Sequence, residues 1–350
     1  MKLPAPFATA IGSLPFKEAA QAVDLMLQSF PTAPCWPQLP QRSWLENMDA
    51  QFAQGMAALS EDEQTGKVSV LIQGGPESPE EALERFWTPI IAGDDDPQRL
   101  AVGPERAVGL YELLRRFESG EERPRPVIKG QMTGPVTFGS SVKVEPSGKL
   151  LLFSPEFFEA ARALLKVKAS WQARILAPLG ETTLVFVDEP ALVSFGSAYL
   201  PISREDAIGW LDEVVAGVHE QGAFAGSHCC GNTDWSLLAR SSIDVISFDA
   251  AEYFESLLLY ARDLAAFFER GGCLAFGIVP TSEEVLQAQA ADLAAQLDAQ
   301  LSRLGQEIGW GRSNLLERLI ITPACGYGTR SEQAATYGTQ LCEQVLGKLG

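Results

Sequence analysis

The feature that most constrains the fold is the regular alternation of short apolar runs with longer amphipathic stretches. Each apolar run ends in small or polar residues, and most of the intervening stretches repeat their apolar positions about every 3.6 residues, as helices do. Strands that alternate with helices form βαβ units and a parallel sheet. Eight strands are predicted, at residues 8–13, 34–39, 126–131, 183–188, 223–228, 244–249, 274–279 and 319–324.

Eight strands are the number that a closed (β/α)₈ TIM barrel requires, so we predict a single α/β TIM-barrel domain over residues 1–350. An open doubly wound sheet is the alternative, but no G-x-G-x-x-G follows the first strand. A further apolar run at 68–72 lies in a predicted insertion, about 58–105, after the second strand, where we expect a hairpin arm over the barrel mouth. Helices are predicted at 16–30, 155–176, 204–221, 282–304 and 331–349.

Composition excludes several classes of partner. The chain has 27 Lys and Arg against 45 Asp and Glu, a net charge of −18, whereas nucleic-acid-binding proteins carry basic surfaces. It contains no stretch of about 18 uncharged apolar residues and no signal-peptide pattern at its start. Six cysteines are too sparse for a disulfide scaffold. We therefore expect a cytoplasmic protein with free thiols that binds neither nucleic acid nor membranes.

Three residues have the chemistry of a metal site. His228 and Cys230 leave the predicted fifth strand, and the period of two along a strand puts them on one side and turns Cys229 away. Cys325 ends the predicted eighth strand, and strand ends converge on one mouth of a barrel. Three nitrogen or sulfur ligands with an open fourth position are typical of catalytic zinc. The alternative is that these are ordinary buried residues.

Carboxylates follow two further predicted strands. Asp188 and Glu189 end the fourth strand and are candidate catalytic acids, although a helix cap is a frequent role at such turns. Asp249 ends the sixth strand, one strand beyond Cys230, and is a candidate fourth metal ligand, with Glu252 in reserve.

The turn after the first strand is a candidate substrate-binding segment. Ile11, Gly12 and Ser13 precede a predicted helix, and exposed backbone N–H groups with a hydroxyl at such a turn can bind a carboxylate. A plain strand-to-helix turn is the alternative. Residues 129–135 bring two glycines and a proline to the end of the third strand, which permits close approach of the backbone to a ligand.

Six motifs follow one another along the chain: IGSLP at 11–15, KGQMTGPVT at 129–137, VDEPAL at 187–192, HCC at 228–230, DVISFD at 244–249 and PACG at 323–326 with Thr329 and Arg330. In this order they resemble the catalytic C-terminal barrel of cobalamin-independent methionine synthase, over about residues 8 to 340. The segment CGN at 230–232 is also similar to corrinoid-linked thiol methyltransferases, and the superfamily includes uroporphyrinogen decarboxylase.

The resemblance implies a zinc-dependent enzyme that methylates the thiol of homocysteine to give methionine. Zn²⁺ would be held by His228, Cys230 and Cys325, with Asp249 where the family has a Glu. Asp188 matches the acid that holds the amino group of homocysteine, and residues 11–13 match the segment that holds its carboxylate.

The chain departs from the family at the second strand. The family has a second amino-binding Glu in a His-Gly-Glu sequence, whereas this chain has Trp36, Pro37 and Gln38. The acceptor is therefore open between homocysteine and other thiols. The family enzyme has two tandem barrels, the first of which helps to bind a polyglutamylated folate, and a net charge of −18 attracts such a donor poorly. This favours a methyl-corrinoid, free or on a corrinoid protein, over methyl-folate.

Two other functions remain open at this level. One is a non-catalytic barrel that binds a corrinoid or a thiol, which zinc content would distinguish from the enzyme. The other is a uroporphyrinogen decarboxylase-like enzyme, which needs arginines near its N-terminus, where this chain has only Arg42.

Overall fold

The computed structural model describes residues 2–92 and 100–349. In that part of the chain, seven strands form one curled parallel sheet and four form a smaller sheet. The strands are β1 Phe7–Ala8, β2 Leu59–Asp62, β3 Lys67–Leu71, β4 Arg125–Thr133, β5 Lys143–Glu145, β6 Lys149–Leu150, β7 Gly180–Asp188, β8 Phe224–Cys229, β9 Val245–Asp249, β10 Cys273–Val279 and β11 Leu319–Pro323.

Helices connect most of the strands of the large sheet. No described helix is both long and apolar enough to cross a membrane. The helices are α1 Ala19–Ser29, α2 Met48–Ala53, α3 Pro79–Ile91, α4 Val108–Glu118, α5 Pro135–Ser141, α6 Pro155–Leu176, α7 Arg204–His219, α8 Ser236–Arg240, α9 Ala250–Leu258, α10 Ala261–Glu269, α11 Ala290–Ile308, α12 Arg312–Leu316 and α13 Glu332–Leu346.

The large sheet has the order β1-β11-β10-β9-β8-β7-β4, and every pair in it is parallel. From β4 through β7 to β11 the strands follow one another in the sheet in chain order, with helices between them, and β1 pairs with the last strand, β11. The fold is α/β and TIM-barrel-like, in agreement with the prediction at that level.

The predicted second strand at 34–39 does not form a regular ladder. It makes isolated parallel bridges instead, from Cys35 to Lys129 of β4 and from Gln38 to Ser13 beyond β1. Three prolines interrupt residues 34–40, and proline lacks the N–H group that a ladder needs. The segment nevertheless contacts β4 on one side and the residues that follow β1 on the other.

The predicted insertion at 58–105 is more structured than a hairpin arm, although its residues 93–99 lie outside the described residues. The expected hairpin is present, since β2 pairs antiparallel with β3. However, β3 also pairs with β5, so the hairpin joins residues that follow β4 in a second sheet. The helix α3 follows the hairpin.

Helix boundaries follow the predicted periodicity with two shifts. α6 begins and ends as predicted, with Pro155 in its first turn, where proline is favoured. α1 begins at Ala19 instead of residue 16. α11 begins at Ala290, because the predicted start of that helix forms a separate 3₁₀ turn at Glu283–Gln287.

Apolar side chains pack in two clusters, on opposite faces of the large sheet. The larger lies between the sheet and the helices. The smaller includes Leu184 and Phe186 of β7 with Ala275 of β10. Because strand side chains alternate, the next residue on the Leu184 and Phe186 face is Asp188. The face that is apolar lower in the sheet thus becomes polar at the carboxyl ends of the strands.

The packing of α7 against α6 can be tested by a substitution at Gly217. A Cβ at Gly217 would overlap the backbone carbonyl oxygen of Lys166 in α6, which cannot move aside as a side chain could. We expect Gly217→Ala to lower the free energy of unfolding by about 1–3 kcal/mol, measured by urea denaturation. Gly209→Ala in the same helix is the matched control, since no described atom lies within 4 Å of its added Cβ. Equal losses in the two variants would contradict this packing.

Candidate metal centre

Three potential ligands meet at the carboxyl edge of the large sheet. His228 lies in β8, Cys230 directly follows that strand, and Cys325 follows β11. The ligand atoms of these three side chains all lie within 4.8 Å of one another. Zinc bound at about 2.3 Å from sulfur and about 2.0 Å from nitrogen fits among donors this close. The structure therefore brings together the three residues that the sequence singled out.

The His228 ring is oriented for metal binding. Its Nδ1 lies 3.0 Å from the Ser247 hydroxyl, which is opposite it in the β8–β9 register. Its Nε2 is buried and has no hydrogen-bond partner among the described residues. A hydroxyl that accepts from Nδ1–H leaves the lone pair of Nε2 for a metal. The sequence analysis missed Ser247, which only the strand register identifies.

Cys230 and Cys325 influence each other's ionisation. The neighbouring Cys325 thiol, followed by His228, lowers the pKa of Cys230. The neighbouring Cys230 thiol, together with burial, raises the pKa of Cys325. Cys230 is therefore the thiol that loses its proton more readily. Cys229 differs, because burial raises its pKa to about 12 and its Sγ donates to the Gly231 carbonyl.

A cavity of about 250 Å³ adjoins the three donors. Asp188 lies in its wall, is 6% exposed, and has an Oδ1 atom without a hydrogen-bond partner in the described part of the chain. Burial raises the pKa of Asp188 to about 6, and the nearby charges of His228 and Lys129 oppose that rise. An unpartnered buried carboxylate oxygen costs free energy, which a cationic ligand in the cavity would recover.

Lys129 is a buried cation close to Asp188. Its Nζ donates to the Ile11 carbonyl at 2.8 Å and to the Gln131 side chain at 3.2 Å. It also lies 4.4 Å from the centroid of the Phe186 ring, a cation–π distance. Sequence analysis gave this residue no electrostatic role, although a lysine inside an otherwise apolar strand is a signal that could have revealed it.

Glu189, the second candidate catalytic acid, is engaged as a helix cap. Its carboxylate accepts from the backbone N–H groups of Val136 and Thr137, at 2.9 and 2.7 Å, and from the Thr137 hydroxyl at 2.6 Å. It thus caps the first turn of α5, the helix after the neighbouring strand. It is not among the described residues that line the cavity. Burial raises the pKa of Glu189 to about 7.

Asp249 is likewise engaged as a helix cap. Its Oδ1 accepts from the N–H groups of Ala251 and Glu252, both at 3.0 Å, at the start of α9. Among the described residues it does not join the group of ligand atoms that lie within 4.8 Å of one another. Ser247, two residues earlier in β9, is the residue of that strand that contacts His228.

The segment at 11–13 does not precede a helix directly, because α1 starts at Ala19. Its first and last residues line the cavity. The Ser13 hydroxyl accepts from the N–H of Gly328 at 3.3 Å. Gly12 has a φ of +147°, which favours glycine. The segment therefore reaches the cavity as irregular backbone with a bend at Gly12, without a helix N-terminus.

Three further polar residues in the cavity wall are Gln38, Glu46 and Asn47. Glu46 ends the 3₁₀ turn Trp44–Glu46, and its carboxylate accepts from the Leu39 N–H at 2.8 Å and from Arg42 at 3.3 Å. Burial raises the pKa of Glu46. The sequence analysis missed this acid, because no local period distinguishes it from other acids in loops.

Comparison with known proteins supports the fold. No family model and no curated protein matches the chain. The chain is similar to the B12-independent methionine synthase of a Shewanella species, solved in complex with selenomethionine, with 14% identity and a TM-score of 0.54 over 100% of this chain and 98% of that one. An endo-1,4-β-mannanase of Rhizomucor miehei is 10% identical with a TM-score of 0.44 and 99% coverage of both chains.

At 14% identity, the likeness to the methionine synthase shows a shared fold. The mannanase likeness is too distant to carry an argument. Fold and site together define a TIM-barrel-like α/β protein with a His-Cys-Cys group that could hold a metal ion.

Glu189 gives the stability a pH dependence of known sign. Its pKa is about 7 in the fold against an ordinary 4.5, so the folded protein binds more protons between these values and stability is lost as pH rises through them. We expect Glu189→Gln to remove a decrease of about 2–3 kcal/mol between pH 4.5 and 7.5, measured by urea denaturation of metal-free protein. The exposed Glu181→Gln, in the same strand, is the control. An unchanged pH dependence in Glu189→Gln would contradict the assignment.

Proposed function

We propose that the protein is a zinc-dependent methyltransferase that moves a methyl group to the thiol of homocysteine and so forms methionine. The observation that carries this proposal is the buried, unpartnered Nε2 of His228 beside two cysteine sulfurs at the wall of a cavity. Structural zinc sites close with four protein ligands, whereas catalytic sites keep one position for substrate. Three donors next to a cavity therefore favour a catalytic site.

The donor set fits zinc. Two cysteines and one histidine form the nitrogen and sulfur set that zinc prefers, and Ser247 fixes the histidine ring. When bound, zinc would lower the pKa of a substrate thiol and make it a nucleophile at neutral pH. His228, Cys230 and Cys325 would hold it. Asp249, as a helix cap, would stabilise the end of β9 and would leave the fourth ligand position of the metal to the substrate thiol.

The other residues of the cavity would position the acceptor. The unpartnered Oδ1 of Asp188 would accept from its ammonium group, and the turn at 11–13 would contact its carboxylate. Methyl transfer is an in-line displacement: the thiol proton leaves, the sulfur–carbon bond forms, and the carbon's bond to the donor breaks with its electron pair left on the donor. Alignment of the reactants contributes up to about 7–11 kcal/mol in ideal cases.

The same proposal includes the identity of the methyl donor and the closure of the barrel. The donor is a methyl-corrinoid, free or on a corrinoid protein, or else a methyl-folate. Residues 32–38 complete an eight-stranded barrel, supported by backbone hydrogen bonds from Lys129 to Pro34 and from Gln38 to Gly12, on opposite sides of the segment. The methionine synthase that shares this fold is named for the same reaction, which supports the choice of acceptor.

Replacement of the thiol ligands tests the metal assignment. We expect Cys230→Ser and Cys325→Ser to lose stoichiometric zinc and methyl transfer while the circular dichroism spectrum is retained, because the core lies below the site. Cys229→Ser is the matched control and should keep about one zinc per chain, because its thiol points away from the donors. Asp249→Ala should weaken zinc binding less than either ligand variant. One zinc per chain in both ligand variants would contradict the assignment.

An assay that crosses methylcobalamin and methyl-folate with homocysteine and other thiols tests the reaction. We expect homocysteine to be methylated, and Asp188→Asn to raise its KM about ten- to hundredfold at unchanged zinc content, since one charge-assisted hydrogen bond is lost. Equal methylation of an amino-free thiol by the wild type and by Asp188→Asn would show that the amino-acid pocket is not used.

A further inference from the structure

We infer that the 3₁₀ turn Pro190–Ser194 positions Cys230 for metal binding, through Val193 and the Leu192 carbonyl group. Both are positioning groups, which act through the loop at 230–235 that carries Cys230. The turn and the loop follow different strands, β7 and β8, and meet at the carboxyl edge of the large sheet. The inference rests on the proposed function, because it concerns how one of the three zinc ligands is held in place.

Cys230 is held differently from the other two candidate ligands. His228 lies within β8, in register with Ser247 of β9. Backbone N–H groups one residue before and two residues after Cys325 donate to carbonyl groups of other segments, at 2.8 and 2.9 Å. The β8–β9 register, in contrast, ends at Cys229, one residue before Cys230. The position of Cys230 therefore depends on what its loop contacts.

Two contacts join this loop to the turn. The Thr233 hydroxyl donates to the Leu192 carbonyl oxygen at 2.8 Å. Gly231 packs so closely on Val193 that a Cβ added at Gly231 would lie 2.5 Å from Val193 Cγ1. Valine is branched at its Cβ and restricted in χ1, so moving that methyl group away has a cost. The residue directly after Cys230 therefore has to be a glycine if the loop is to keep this position.

The turn is itself anchored to the sheet and to α5. The N–H of Glu189, directly before the turn, donates to the His228 carbonyl at 2.9 Å. Within the turn, the Ala191 N–H donates to the Thr137 hydroxyl of α5 at 3.2 Å. An anchored turn resists displacement, so a clash between turn and loop would move the loop, and Cys230 with it.

Two pairs of variants separate these contacts from a general effect on folding. Gly231→Ala adds the Cβ that meets Val193, and Val193→Ala in the same chain removes the methyl groups that it would meet. Gly231 does not have a positive φ, so alanine meets no backbone strain there. Thr233→Val removes the hydroxyl that donates to Leu192, whereas Thr233→Ser keeps a hydroxyl and is its matched control.

Two measurements report on the metal site without any substrate: the affinity for Zn²⁺ in competition with a chelator, and the absorption spectrum of the protein loaded with Co²⁺. We expect Gly231→Ala and Thr233→Val to bind Zn²⁺ about ten- to hundredfold more weakly, as substitutions that disturb the orientation of metal ligands typically do. The thiolate-to-cobalt charge-transfer absorption should decrease with the loss of the Cys230 ligand. Gly231→Ala with Val193→Ala, and Thr233→Ser, should restore wild-type affinity and absorption.

The outcomes are distinct. Unchanged Zn²⁺ affinity in Gly231→Ala and Thr233→Val overturns the inference and leaves the proposed methyltransferase intact. Weakening that Val193→Ala does not relieve and that Thr233→Ser shares also overturns it, because the contacts are then not the cause. If Gly231→Ala does not fold, the two Thr233 variants decide. A wild type that binds no Zn²⁺ overturns the proposed function, and the inference with it. Weakening that is relieved in both pairs supports the inference.

Discussion

The parallel pairing of the strands is the constraint on which the rest of the structure depends. In a parallel sheet all carboxyl ends lie at one edge, so the residues that follow β8 and β11 face the same space. Cys230 and Cys325 are far apart in the chain, but for this reason their sulfur atoms lie within 4.8 Å of each other. The same pairing sets the β8–β9 register, which places Ser247 against His228.

Charge inside the curled sheet has to be balanced, because a buried ion without a partner is costly. Lys129 is held by the Ile11 carbonyl and by the Phe186 ring, and its charge acts on Asp188 above it. Among the described residues that line the cavity, two have a buried side-chain atom without a hydrogen-bond partner: Asp188 at Oδ1 and His228 at Nε2. The Asp188 oxygen suits a cationic group and the His228 nitrogen suits a metal ion, so the cavity fits a cationic ligand beside a metal.

Carboxylates of the same type take different roles according to their surroundings. Glu189 and Asp249 accept from backbone N–H groups at helix starts, and this fixes α5 and α9 beneath the site. Asp188 lines the cavity instead, with its Oδ1 unpartnered among the described residues. Glu46 also lines it, although its carboxylate accepts from the Leu39 N–H. Burial raises the pKa of each of these four groups, so a raised pKa does not identify the acid that binds a ligand. The hydrogen-bond partners decide between the two roles.

The sequence by itself determined what depends on local period and strand order: the strands β4 and β7 to β11 with their helices, the H-x-C donors, and their convergence with Cys325. Only the tertiary structure decided the partner of His228, the capping role of Glu189 and the position of Glu46 at the cavity wall. Each of these depends on hydrogen bonds or burial between segments distant in the chain, which leave no periodic signal. The segment at 34–39 was predicted as a strand but is irregular for a related reason, since its prolines prevent a regular ladder and isolated bridges to β4 and to the residues after β1 hold it in place.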